Sequence, residues 1–104
     1  MPAVFKLTPF AERDLQSILA YVAFDNVAAA RALKTRFVEC CTKLAHMPEM
    51  GHKREDLTGS PFRFWPVGSY LIVYHPETSP LIILRVLSGY QDVLRLMSDS
   101  TGVE

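Results

Sequence analysis

The sequence predicts an α+β domain in which a helical hairpin packs on one face of a small, mostly antiparallel sheet. Three observations predict it. Apolar residues recur at helical spacing in two runs between Pro9 and Met47, separated only by Asp25-Asn26. From Phe62 to Leu87 the chain is dense in β-branched and aromatic residues, broken by Gly68-Ser69 and by PETSP at Pro76–Pro80. At 104 residues, two such helices and one small sheet nearly exhaust the length, so positions 1–104 form one domain.

In chain order, Val4 to Leu7 is a short apolar segment, read as a first strand. Thr8-Pro9 reads as N-cap and first helical position, where proline's missing N–H costs nothing. Ala11, Leu15, Ile18 and Val22 then form one face of an amphipathic helix, widened by Leu19, with Glu12, Arg13, Asp14 and Gln16 on the opposite, wet side. Asp25-Asn26 offers a new N-cap. The second helix carries Ala30, Leu33, Phe37, Cys41 and Leu44 inward and Arg31, Lys34, Arg36 and Lys43 outward. It must end by Met47, because the residue before Pro48 is pushed out of the α region. The stretch PEMGHKREDLTG reads as a polar loop, with Lys53 and Arg54 a phosphate-attracting spot partly cancelled by Glu55 and Asp56.

Three strands follow, giving the order β-α-α-β-β-β. Phe62–Val67 contains Pro66 and so belongs at an edge or a bulge. Tyr70–His75 is nearly all apolar, as a strand covered on both faces would be. Leu81–Leu87 is the last strand, and Ser88-Gly89 releases the chain into a short helix at Tyr90–Met97. Alternation in the last strand separates Ile82, Leu84 and Val86 from Ile83, Arg85 and Leu87. A charge belongs on the less buried face, so Arg85 is expected on an open side, joined there by Arg63 and Trp65, with Ile82, Leu84 and Val86 toward the helices.

Composition narrows the functions. Eleven basic and eleven acidic residues cancel, whereas a protein that lives on phosphate contacts shows a basic excess. No apolar run is long enough to span a membrane, and MPAVFKLTPF lacks the features of a secretion signal, so a cytoplasmic location is expected. Cys40 and Cys41 are helical neighbours about 100° apart and read as packing residues. Metal-ligand spacings, glycine-rich phosphate loops and a nucleophile elbow are not found, and no cofactor is expected. Arg63, Arg85, Trp65 and Tyr90 are residue types that hold phosphates and stack bases. Cleaving RNA would further need a general acid and base. His46, His52 and His75 fall on or after the second helix or at a strand end, away from the strand centres. The simplest partner for Arg85 is an acid such as Asp92.

AERDLQSILAYV in the first helix, the PEMGHKREDL loop, FWPVGSYLIVYHP and above all RVLSGYQD resemble the RelE/ParE toxin superfamily of bacteria, most closely its ParE, or plasmid-stabilisation, branch. The likeness runs from about Val4 to Leu96. It implies the toxin half of a type II toxin–antitoxin pair, held silent by an antitoxin whose extended and helical C-terminal segment wraps around it. ParE-like members poison DNA gyrase, and RelE-like members cut mRNA on the ribosome. The branch motif usually reads RVLHGxRD. Arg85, Gly89 and Asp92 match it, while Ser88 replaces a histidine that could serve as an acid and Gln91 replaces an arginine. The expected activity is therefore gyrase inhibition by binding, with a ribosome-dependent mRNA endonuclease using Arg63, Arg85 and Tyr90, or a non-toxic antitoxin-binding module, as alternatives. Arg63, Trp65, Arg85, Ser88, Tyr90, Gln91 and Arg95 are the expected target contacts. Leu19, Tyr21 and Phe24 are the expected antitoxin contacts.

Overall fold

A computed structural model describes residues 4–53 and 61–88. Its elements are β1 (Phe5–Leu7), α1 (Pro9–Asp25), α2 (Val27–His46), a 3-10 turn at Pro48–Met50, β2 (His52–Lys53), β3 (Arg63–Val67), β4 (Tyr70–His75) and β5 (Leu81–Ser88). The sheet order is β1-β5-β4-β3-β2, with β1 parallel to β5 and every other pairing antiparallel. The α+β architecture is the expected one, with one strand more. His52 and Lys53, read as loop, pair with Phe64 and Arg63.

The helix boundaries follow from local chemistry. Thr8 is extended, and its hydroxyl accepts a hydrogen bond from the Ala11 N–H at 3.1 Å, satisfying one of the four free donors at the start of α1. Asn26 serves both helices. Its N–H donates to the Val22 carbonyl at 2.9 Å, closing α1, and its Oδ1 accepts from the Ala29 N–H at 3.0 Å, opening α2. The hairpin therefore turns on a single residue. Ahead of Pro48, α2 stops at His46.

Between hairpin and sheet lies the main core, where Ala11, Phe37, Cys41 and Leu44 meet Ile72, Tyr74, Ile83 and Val86. Burial among apolar side chains, reinforced by neighbouring Cys40, pushes the Cys41 thiol up to about 12. Gly68, at φ +60°, occupies the first position of the two-residue turn joining β3 to β4, where a hairpin turn requires glycine. β2 covers only Arg63 and Phe64, so β3 is an edge at Pro66, as the proline demands.

Alternation in β5 departs from the expected pattern. Leu81, Ile83 and Val86 face the helices, and Leu84 and Leu87 face away. The register explains the change: Tyr74 pairs with Ile83 but Val73 pairs with Arg85, leaving Leu84 as an extra residue. A bulge of this kind resets the parity of every later side chain. The face away from the helices is also apolar, with Phe64, Val73 and Leu87 buried beside Phe62, Leu71 and Leu84. It is not the polar face expected from the sequence.

Candidate functional site

Arg85 is the best-defined polar group near the exit of β5. Its Nε donates to Asp14 Oδ2 at 2.7 Å and its Nη2 to Oδ1 at 3.0 Å, a two-pronged bond to α1. The same Oδ2 accepts the Val86 N–H at 3.0 Å. Beyond the end of β1, the carboxylate thus stands in for a neighbouring strand. Thr8 does the same one step earlier, its hydroxyl donating to the Leu84 carbonyl at 2.8 Å. Helical periodicity puts Asp14 on the wet side of α1, yet its side chain is only 17% exposed. The signal was present in the spacing: Asp14 lies three residues after Ala11 and four before Ile18, on the flank of the apolar stripe. The expected partner, Asp92, lies outside the described residues.

Phe10, one turn before Asp14, is 59% exposed and carries Arg13 and Arg85 over its ring at 5.4 and 5.8 Å from the centroid. Two guanidiniums within reach of one aromatic ring make a cationic and apolar cluster beside the end of β5. Ser88 is the last residue of that strand, opposite Tyr70, and is exposed. Tyr90, Gln91 and Arg95 fall outside the described residues, as do Arg54, Glu55 and Asp56 of the loop.

Arg63 and Trp65 do not join Arg85. Val67, Trp65 and Arg63 alternate on the helix side of β3, where Val67 is part of the main core and Trp65 packs against it. The Arg63 Nη1 donates to the carbonyls of Gly51 at 2.8 Å and Glu49 at 3.2 Å, holding the turn after α2. Tyr74 secures the same turn. Its hydroxyl donates to the Pro48 carbonyl at 2.7 Å and accepts the Gly51 N–H at 2.8 Å. Burial raises its pKa, against the opposing effects of that backbone bond and of Arg63 nearby. Trp65 stacks on His52 with ring centroids 6.1 Å apart and planes 12° from parallel. The expected shared open face does not form, because charge alone does not fix which face a residue takes. A long guanidinium stem can leave an apolar face and find carbonyls at its rim.

The hairpin offers a different kind of surface. Tyr21 is 81% exposed, Phe24 93% and Val27 55%, three large apolar residues in one run at the turn between helices, while Leu19 is half-buried. Single exposed apolar residues are ordinary, but an aromatic pair one helical turn apart beside a valine is what docking surfaces look like. Below the tip, Leu15, Ile18, Leu33, Phe37, Tyr70 and Val86 line a small apolar cleft between hairpin and sheet.

Residues 5–93 match the family model of the ParE toxin of type II toxin–antitoxin systems, parDE. The chain belongs to the ParE toxin family. This ParE-family chain is similar to a solved chain from the chromosomal ParDE TA system from P. aeruginosa, with 20% identity and a TM-score of 0.67. The match covers 85% of this chain and 97% of that one. Among curated proteins no relative matches by sequence. No helix among the described residues is long and apolar enough to cross a membrane. The ParE-type fold thus places its exposed apolar tip at one end of the hairpin and its Arg85–Asp14 pair near the start of α1.

Proposed function

We propose that this ParE-family toxin acts by docking on DNA gyrase, with no chemistry of its own, and is silenced by a cognate antitoxin seated on the helical hairpin. The observation that carries the binding reading is the engagement of both guanidiniums. A phosphate-cleaving site would need Arg63 and Arg85 aimed at one point, but Arg63 holds Glu49 and Gly51 carbonyls and Arg85 holds Asp14, with β4 between their strands. The proposed target surface is the segment from Arg85 to Met97, including Ser88, Tyr90, Gln91 and Arg95, with Phe10 and Arg13 beside its start. Exposure of Tyr21 and Phe24 supports the hairpin, together with Leu19, as the antitoxin's seat. Purified toxin freed of antitoxin is expected to inhibit gyrase supercoiling and raise gyrase-dependent DNA cleavage. Unchanged gyrase at saturating toxin sinks the proposal.

A further inference from the structure

Charge in this chain is balanced overall but not evenly spread. Eleven basic and eleven acidic residues cancel across the whole sequence. Within α2, however, Arg31, Lys34, Arg36 and Lys43 stand against Glu39 alone. The rest of the chain therefore carries an excess of three acids, and α2 is a cationic helix on an acidic body. All four basic side chains are exposed, and among the described residues none of them is ion-paired. Arg63 and Arg85 differ, being engaged by the Glu49 and Gly51 carbonyls and by Asp14.

Helix geometry says where these charges point. Ala30, Phe37, Cys41 and Leu44 are buried, so the opposite side of α2 faces out. At 100° and 1.5 Å per residue, Arg31 and Arg36 stand about 140° apart on the two flanks of that outer side, about 7.5 Å apart along the axis. Between them lie Ala28, Ala32 and Thr35, all exposed and all small. Lys43 continues the Arg36 flank two turns on, and Lys34 lies beyond Arg31. Glu39 falls between Arg36 and Lys43, so the most cationic stretch is 28–36. A protein partner is held by large apolar anchors at the centre of its contact, and this floor offers none. A phosphate chain needs only cations flanking a floor low enough to approach.

We propose that the outer face of α2 grips the phosphate backbone of duplex DNA, with Arg31 and Arg36 on either side of the Ala28, Ala32 and Thr35 floor and Lys34 and Lys43 as outer contacts. This rests on the reading that the toxin docks on gyrase, and it adds the DNA that gyrase holds as a second partner. The contact reads no base sequence, because backbone contacts carry none. Zero net charge keeps it weak for the toxin alone. Within the gyrase–DNA complex the duplex is already close, and a weak second contact then adds to the first.

The test is fluorescence anisotropy of a labelled DNA duplex with the purified full-length toxin. Dissociation constants of roughly 10–100 µM are expected at about 50 mM salt, with log K falling against log[salt] at a slope of about −2.7, the release from about three phosphates. The double variant Arg31→Gln with Arg36→Gln lowers that slope by about 2 and weakens binding at least about tenfold. Glu39→Gln removes the opposing carboxylate and strengthens binding about threefold. All three residues are exposed, so Tm stays within about 2 °C. In the gyrase assay the double variant is expected to need at least about tenfold more toxin for the same DNA cleavage. No duplex binding by the wild-type chain at low salt, or an unchanged slope in the double variant, overturns the inference while leaving the gyrase reading intact. Tighter binding to an RNA duplex than to DNA overturns the assignment to DNA. Lost gyrase inhibition at unchanged DNA affinity gives the face to a protein partner and overturns it as well. Duplex binding with the expected slope by a toxin that leaves gyrase unaffected keeps the phosphate contact and sinks the docking on gyrase.

Discussion

Replacing Asp14 with alanine is the most informative single perturbation of this fold. It removes the acceptor of two hydrogen bonds from Arg85, at 2.7 and 3.0 Å, and of one from the Val86 N–H at 3.0 Å. Hydrogen bonds to a charged group contribute about 1.5–3 kcal/mol each when well buried. With the two side chains 32% and 17% exposed, solvent screening brings each Arg85 bond nearer 1 kcal/mol, and the Val86 N–H can turn to water. The expected loss is about 2–3 kcal/mol, which in a domain of this size lowers Tm by roughly 10–15 °C. Asp14→Asn keeps an acceptor for one donor and should lose about half as much. Urea unfolding of the two single variants Asp14→Ala and Arg85→Ala, and of the double variant, gives the coupling, expected at about 1–2 kcal/mol. A loss below about 0.5 kcal/mol for Asp14→Ala, or fully additive variants, would show that the pair is a surface contact and not a clip between α1 and β5.

Three further outcomes follow from the same geometry. Gly51→Ala drives a Cβ into the Tyr74 hydroxyl, so it should cost about 1–3 kcal/mol in urea unfolding, whereas Tyr74→Phe should cost about 1–2 kcal/mol by orphaning the Gly51 N–H. The Cys41 thiol is raised from 9.0 to about 12, so the native state keeps its proton while the unfolded state loses it. Stability from this source is complete below pH 9 and falls as pH rises toward 12, by up to roughly 4 kcal/mol, and Cys41→Ala should flatten that part of an alkaline denaturation profile. Tyr21→Ser and Phe24→Ser should leave Tm within about 2 °C because neither side chain is buried, yet weaken antitoxin binding at least about tenfold. Calorimetry of the purified complex checks both halves of that statement.

Much of the framework could be read from local chemistry because its signals act over a few residues. Thr8-Pro9, Asn26 and Met47-Pro48 mark helix ends through capping and proline sterics, and Gly68 marks a turn through its positive φ. The inward stripes of both helices also came through, since periodicity needs no knowledge of what lies opposite. The face assignments fail up to the bulge, where Ile83 faces the helices and Leu84 faces away, and hold after it, where Val86 faces the helices and Leu87 faces away. A bulge leaves no trace in an alternating run of Ile, Leu and Val, and one extra residue puts the two halves of the strand out of step. The site was less legible for a related reason. Asp14 and Arg85 are 71 residues apart, and Arg63 spends its charge on carbonyls of a turn that composition presents as plain loop. Long-range polar pairing depends on register, and register was the quantity that sequence alone left undetermined.

Asn26 carries a mechanical consequence. Because one residue ends α1 and begins α2, the hairpin has no slack at its apex. Inserting or deleting a residue there would rotate α2 by about 100° and swing Phe37 and Leu44 off the sheet. A stiff apex also means that Tyr21 and Phe24 are held out in advance, so a partner that closes over them immobilises little backbone in doing so. On the proposed reading, the tip is a fixed plug rather than a fishing line, and tight capture depends on the shape of the antitoxin that receives it.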